Sequence, residues 1–317
     1  MFKLMLFLFF LLFSSQTLAS FSQWKKEYSK KAKKRGVPAA FSWNILANLQ
    51  FDPRVVKRDR NQVLSDRKKN YKTFMKKWMS SNPSRIEKAK RKLQENLPLL
   101  QKIEAKYGVD KEIIVSLWGV ETSFGTITGQ YDVIRSLATL AFEGRRRTFF
   151  EAQLDAALLM LYKGHVSRNL FKGSWAGATG QCQFMPDSHQ RLAQDFDKDG
   201  IKDIWGNKGD IFASIANYLK KSGWKKGKKI GSLVKNIHKK KLKEASIKSQ
   251  MELYKLGYRN LDGSKISDPS WKRRKLVPLT MIDAPAILKD KNFEAIYRWN
   301  PSALFVAFNI IMFEGLH

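Results

Sequence analysis

Between Asp110 and Gly125 the chain reads DKEIIVSLWGVETSFG, and its apolar positions recur at the spacing of one helix face. Ile114, Leu117 and Trp118 stand at i, i+3 and i+4, and the next place on that stripe, i+7, is Glu121. A helix over this run turns a carboxylate towards the core. Desolvation disfavours the charged form of a carboxyl, so the spacing predicts a Glu that holds its proton near neutral pH, as a general acid must. A second reading stays open at this stage. Glu121 could sit at the helix end and pair with Arg135 or with one of Arg145, Arg146 and Arg147.

Helical periodicity extends over most of the chain. It predicts helices over 21–35, 38–49, 67–80, 84–107, 131–142, 146–163 and 210–221, with Ser84 as an N-cap and Ile211, Ile215 and Leu219 on one stripe. Residues 51–62, FDPRVVKRDRNQ, read as a loop held by Pro53. Residues 164–187 are rich in Gly and aromatic residues and read as a structured loop leading into a helix. LVPLTMID and FEAIYRWN are expected to be two strands, and 301–313 a final apolar helix. The expected class is mainly α (α+β). The expected organisation is a leader at 1–19, an N-terminal helical region at 20–105, a core at 106–224, a basic insert or linker of low order at 225–275, and C-terminal strands and helix at 276–317 that pack back on the helical region.

Residues 1–19 have the pattern of a secretory leader: Lys3, the apolar run Leu4 to Phe13, and Thr17-Leu18-Ala19 as a small-residue cleavage site. The reading is an exported, periplasmic chain, soluble or peripherally attached, with no lipid-bearing Cys at the cut. One cysteine, Cys182, excludes an intramolecular disulfide framework. The formal net charge of +31 calls for polyanionic surroundings such as anionic membrane or wall polymers, and export argues against nucleic acid. The four His show no metal spacing, and neither a nucleophilic Ser motif nor a phosphate-binding Gly loop occurs.

From Asp195 the sequence DFDKDGIKDIW follows the pattern of a calcium loop. Asp195, Asp197 and Asp199 take positions 1, 3 and 5, Gly200 the turn at 6, the Ile201 carbonyl position 7 and Asp203 position 9. Gly206 stands where a bidentate Glu belongs, and Asp210 is the nearby substitute through a lengthened loop. Four carboxylates in nine residues repel one another unless a cation holds them, so a structural Ca²⁺ is expected.

WGVETSFG, GRR at 144–146, GSWAGATGQCQFMPDS at 173–188, and DGIKDIW followed by DIFASIANYLKKSGW resemble the membrane-bound lytic transglycosylase B family. GVPAAF, FDPRVVKRDRNQ and YRWNPS also fit, so the resemblance covers nearly the whole chain after residue 19, apart from 225–275. It implies a lysozyme-like catalytic core that cleaves peptidoglycan glycan strands, with Glu121 as the single acid and then base, and 1,6-anhydro-muramic ends as product. By the same resemblance Ser174 hydrogen-bonds near Glu121, Gln183 and Phe184 line sugar subsites, and Tyr218 and Asn300 contribute to the cleft. Arg145 and Arg146 meet the stem peptide, and Asp210 joins the Ca²⁺ ligands. No organic cofactor is implied, and the chain is expected to act as a monomer. Cys182 departs from the family pattern, where Pro or Gly is common. A water-using muramidase on the same scaffold, with Asp132 or Glu143 as second carboxylate, and a non-catalytic wall-binding protein are the competing readings.

Overall fold

The computed structural model describes residues 20–31, 36–61, 71–79, 84–236, 246–266, 274–279 and 284–317. The leader-like segment lies outside them. Two compact units divide the chain: residues 1–63 with 127–206, and residues 64–126 with 207–317.

The first unit is helical. Helix α1 covers residues 20–31, α2 Ala39–Leu46 and α3 Pro53–Asn61. The loop expected over 51–62 is thus mostly a helix. Pro53 is its first residue, where the missing N–H is no loss, and Asp52 caps it by accepting from Arg54 N at 3.1 Å. Helices α8 (Val133–Glu143) and α9 (Arg147–Tyr162) pack on each other, α3 packs on α8, and α10 (Pro186–Leu192) packs on α9. Ile134, Leu137, Leu140, Phe150, Leu154 and Leu158 fill the core between them. The ring of Phe21 from α1 meets Trp24, Phe51 and Phe142 at 5.1–5.9 Å. Lys25 is buried, and its ammonium caps the end of α2 by donating to Ala47 O at 2.6 Å and Leu49 O at 2.8 Å. A two-residue antiparallel ladder joins β1 (Tyr131–Asp132) to β2 (Lys172–Gly173).

The second unit contains α4 (Tyr71–Met79) and is built around α7, Lys111–Thr122. Ile113, Ile114, Val115, Leu117 and Trp118 of α7 are all buried. Helices α5 (Arg85–Glu95), α6 (Leu97–Tyr107), α11 (Lys208–Lys221) and α14 (Ala303–Gly315) pack around it, and α13 (Phe293–Trp299) lies against α11 and α14. The single helix expected over 84–107 is two. Pro98 cannot donate into a continuing helix and instead occupies the first turn of α6. Ser84 forms a capping box with Glu87, as its place before the amphipathic run suggested. Helix α14 is apolar on nearly every face because it is buried, and its one polar side chain in mid-helix, Asn309, accepts from Ser116 Oγ of α7 at 2.9 Å.

The segment read as a basic insert of low order supplies most of a five-stranded antiparallel sheet. Its order is β4 (Ser246–Lys248), β6 (Arg274–Pro278), β7 (Ala286–Lys289), β3 (Gly231–Asn236), β5 (Tyr258–Asn260), with α12 (Gln250–Lys255) between β4 and β5 in the chain. Val234, Leu253, Tyr258, Leu276 and Leu288 form its core. FEAIYRWN, expected as a strand, is α13: Phe293 and Ile296 are buried at helical spacing. Strand β6 pairs with β4 on one side and on the other with AILK, β7, which periodicity did not single out.

Candidate active site

Glu121 lies in the last turn of α7, where the helix stops abruptly. Ser123, Phe124 and Gly125 all take left-handed backbone conformations, with φ of 53°, 62° and 82°. Two consecutive non-glycine residues in that region store strain, and such strain gathers at functional sites. The turn is tied down locally. Gly125 N donates to Thr122 Oγ1 at 3.0 Å, and Thr126 Oγ1 donates to Ser123 O at 2.8 Å. Phe124 folds back edge-on to Trp118 and covers Gly119, where a Cβ would meet the Phe124 ring at 2.7 Å. Gly119 is therefore demanded by packing two residues before the carboxylate.

Desolvation raises the pKa of Glu121 from the ordinary 4.5 to about 7, against a smaller lowering by a hydrogen bond from Trp299. That bond runs from the indole Nε1 to Glu121 Oε1 at 2.7 Å. Trp299 ends α13 and packs against Tyr218 of α11, ring centroids 4.5 Å apart. Tyr218 donates its hydroxyl to Arg298 O at 2.8 Å. Asn300 caps the C-terminus of α13 through its own N–H to Ile296 O. Glu121, Trp299 and Tyr218 thus lie together within the second unit, with Asn300 next in the chain.

Ser174, Gln183 and Phe184 belong to the first unit, in the Gly-punctuated stretch. Ser174 N donates to Ala178 O at 2.7 Å, and its Oγ accepts from Ala178 N at 3.0 Å, which leaves the hydroxyl proton to donate elsewhere. The backbone passes close here, for a Cβ on Gly129 would lie 2.2 Å from Gly173 O. Gln183 is left-handed, φ 49°, and its amide donates to Thr128 O and Gly180 O, each at 3.0 Å. Phe184 is buried and pairs through its backbone with Thr179.

The arginines offered as partners for Glu121 are engaged within their own unit. Arg135 donates to Gln50 O at 2.7 Å and Arg147 to Phe142 O at 3.4 Å. Arg145 and Arg146 both clamp the buried carboxylate of Asp59. Asp132 and Glu143 are likewise taken: Asp132 by Arg168 and Arg135 N, Glu143 by Arg60 at 2.7 Å and Arg145 N at 3.0 Å.

The acidic loop curls on itself as such loops do around a cation. Gly200 N donates to Asp195 Oδ2 at 2.9 Å, Ile201 N to Asp199 Oδ1 at 2.7 Å, and Trp205 N to Asp203 Oδ1 at 2.8 Å. Gly200, at φ 89°, makes the turn that position 6 requires. Asp195 Oδ1 is buried with no hydrogen-bond partner, a state a carboxylate oxygen tolerates poorly unless a cation faces it. Asp210 is fully buried in the first turn of α11, in the second unit.

The family model described as a transglycosylase SLT domain matches residues 20–311. The chain belongs to the transglycosylase SLT family. SltB3 from Pseudomonas aeruginosa, solved in complex with NAG-anhNAM-pentapeptide, is 34% identical, with a TM-score of 0.79 over 93% of this chain and 79% of that one. The Escherichia coli lytic transglycosylase SLT35 in complex with bulgecin A is 26% identical, TM-score 0.77, over 92% of this chain and 91% of that one. The same enzyme in complex with calcium gives a TM-score of 0.76. Membrane-bound lytic murein transglycosylase B of Escherichia coli (strain K12) is 42% identical over 125 residues. That match takes in 39% of this chain and 34% of the relative, about a third of its length.

Within this SLT chain, two site features escaped sequence reasoning. Trp299 lies 178 residues from Glu121, and nothing local marks an indole as a carboxyl donor. Asp59, the anchor of Arg145 and Arg146, hides in the run read as a loop.

Proposed function

We propose that this chain is a lytic transglycosylase that cleaves the MurNAc–GlcNAc β-1,4 bond of peptidoglycan without water. The observation that carries the reading is Glu121, a carboxyl held neutral up to about pH 7 by burial. In the first half-reaction it gives its proton to the glycosidic oxygen, and the GlcNAc side leaves as an alcohol. In the second, the resulting carboxylate takes the proton of the C6 hydroxyl of the same muramic residue while O6 closes on C1. A 1,6-anhydro sugar forms and Glu121 is protonated again. The usual glycosidase plan needs a second carboxylate as nucleophile or to activate water. Here the substrate provides the nucleophile, and the commitment of Asp132 and Glu143 to Arg168 and Arg60 supports a one-carboxyl scheme.

Ser174, whose hydroxyl keeps its proton while accepting from Ala178 N, serves the same reaction as Glu121. Gln183 and Phe184 shape sugar subsites, Tyr218 and Asn300 complete the cleft, and Arg145 and Arg146 offer their remaining N–H groups to stem-peptide carboxylates. A structural Ca²⁺ would be held by Asp195, Asp197, Asp199, the Ile201 carbonyl and Asp203, with Asp210 as a further ligand; the unpartnered Asp195 Oδ1 supports this. The chain works in the periplasm, held by charge against anionic membrane or wall polymers.

Mass spectrometry of purified peptidoglycan digested by the wild type and by Glu121→Gln tests the reaction. Muropeptides one water lighter, ending in 1,6-anhydromuramic acid and lost in the variant, are expected. Reducing-end products would make water the nucleophile, and no release by either protein would favour a wall-binding role.

A further inference from the structure

The hydrogen bond from Trp299 to Glu121 divides the two carboxyl oxygens into different roles. We propose that Trp299 is a positioning residue for the transglycosylase reaction: its indole N–H claims Oε1 of Glu121, so that the transferable proton resides on Oε2. This rests on the functional reading above and adds a residue to it.

The argument is one of donor inventory. An indole N–H only donates and has no lone pair to accept with, so it engages the stronger acceptor of the carboxyl, which in the neutral acid is the carbonyl oxygen and not the hydroxyl. At 2.7 Å the contact is at the short end for N–H···O. In the neutral acid, Oε1 is then the carbonyl oxygen and Oε2 bears the hydrogen. After the proton has gone to the glycosidic oxygen, the same N–H faces a carboxylate, and the bond becomes charge-assisted and stronger. Trp299 thus leaves the acid aimed through one oxygen and favours the base that the second half-reaction requires. Burial pulls in the opposite direction, and the balance of the two keeps Glu121 near pH 7.

The indole can do this because it is itself fixed. Its ring lies 4.5 Å from that of Tyr218, centroid to centroid. The Tyr218 hydroxyl holds the carbonyl of the preceding residue, Arg298, at 2.8 Å. The Arg298 guanidinium in turn donates to Ser222 O at 3.1 Å, at the end of α11. Three contacts therefore tie the last turn of α13 to α11, which also packs against α7, the helix that carries Glu121. An exposed, freely rotating indole would carry no such directional information.

Two measurements test the proposal. The first is the pH profile of kcat/KM for anhydro-muropeptide release by wild type, Trp299→Phe and Trp299→Tyr. Phe keeps the ring and loses the N–H; its alkaline limb should move to higher pH, and its optimal rate should fall roughly tenfold, the scale of one lost bond to a charged group. Tyr, which can donate from its hydroxyl, should recover part of both. A folded Trp299→Phe with the wild-type profile and rate would overturn the proposal. The second needs no activity and covers the case in which the variant does not fold. In the wild type labelled with ¹⁵N at its 9 Trp residues, one indole N–H should titrate near pH 7 and cease to do so in Glu121→Gln. No indole resonance responding to Glu121 would also overturn it. Wild type that releases no anhydro product fails the functional reading instead, which the pH series shows before any variant is compared.

Discussion

Glu121 is retained at a thermodynamic disadvantage, and the sign of that effect is testable. Its folded-state pKa of about 7 lies above the ordinary 4.5. Below pH 4.5 the carboxyl is protonated in both folded and unfolded chains and costs nothing extra. Between pH 4.5 and 7 the unfolded chain releases a proton that the folded chain keeps, so stability falls as pH rises, by on the order of 3 kcal/mol once both values are passed. Glu121→Gln removes this linkage. Urea denaturation should find the variant little different from wild type near pH 4.5 and more stable above pH 7, while its catalysis drops by roughly 10²–10⁴-fold. Equal pH dependence in the two proteins would mean that Glu121 is not desolvated. The stripe Ile114–Leu117–Trp118–Glu121 made this residue legible, because burial of a helix face follows from its spacing. Its donor was not legible, since a contact across 178 residues leaves no trace in local pattern.

At the level of elements, the outcome followed the strength of each local signal. Helix α7 and the capping box at Ser84 formed where periodicity and capping agree. The run 51–62 misled because Pro53 and Asp52 look like loop residues, yet Pro at a first helical position after a capping Asp begins a helix. FEAIYRWN carries residues that suit either a strand or a short helix, and the packing of Phe293 and Ile296 decided for α13. The acidic loop is the element on which the proposed calcium would act. With its aspartates repelling one another and Asp195 Oδ1 lacking a partner, removal of calcium by a chelator should lower the thermal midpoint. Added Ca²⁺ should restore it in a concentration-dependent way that Mg²⁺ does not match, because a calcium loop offers more and longer ligands than Mg²⁺ accepts. Scanning calorimetry with Asp199→Asn alongside reads this directly, and an unchanged midpoint would remove calcium from the account.

Across the whole chain, composition and topology speak to different questions. The net charge of +31 bears on partners and association rates and says nothing of fold. If it draws the protein to anionic wall or membrane, the rate of binding to purified sacculi should fall steeply between about 0.05 and 0.5 M NaCl, as the screening length shortens. A salt-independent rate would assign the charge no role in capture. Among the described residues no helix is long and apolar enough to cross a membrane. The two compact units each take two stretches of the chain, with 127–206 in one and 64–126 and 207–317 in the other. By itself the sequence determined the helical class, the buried helix with its misplaced carboxylate and the curled acidic loop. Each of these rests on interactions within about a dozen residues. The tertiary structure alone decided the five-stranded sheet, the seating of Arg145 and Arg146 on Asp59, and the indole on Glu121. Those are contacts between residues far apart in the chain, selected by which faces must leave water together, and a local pattern encodes the need for such a partner without naming it.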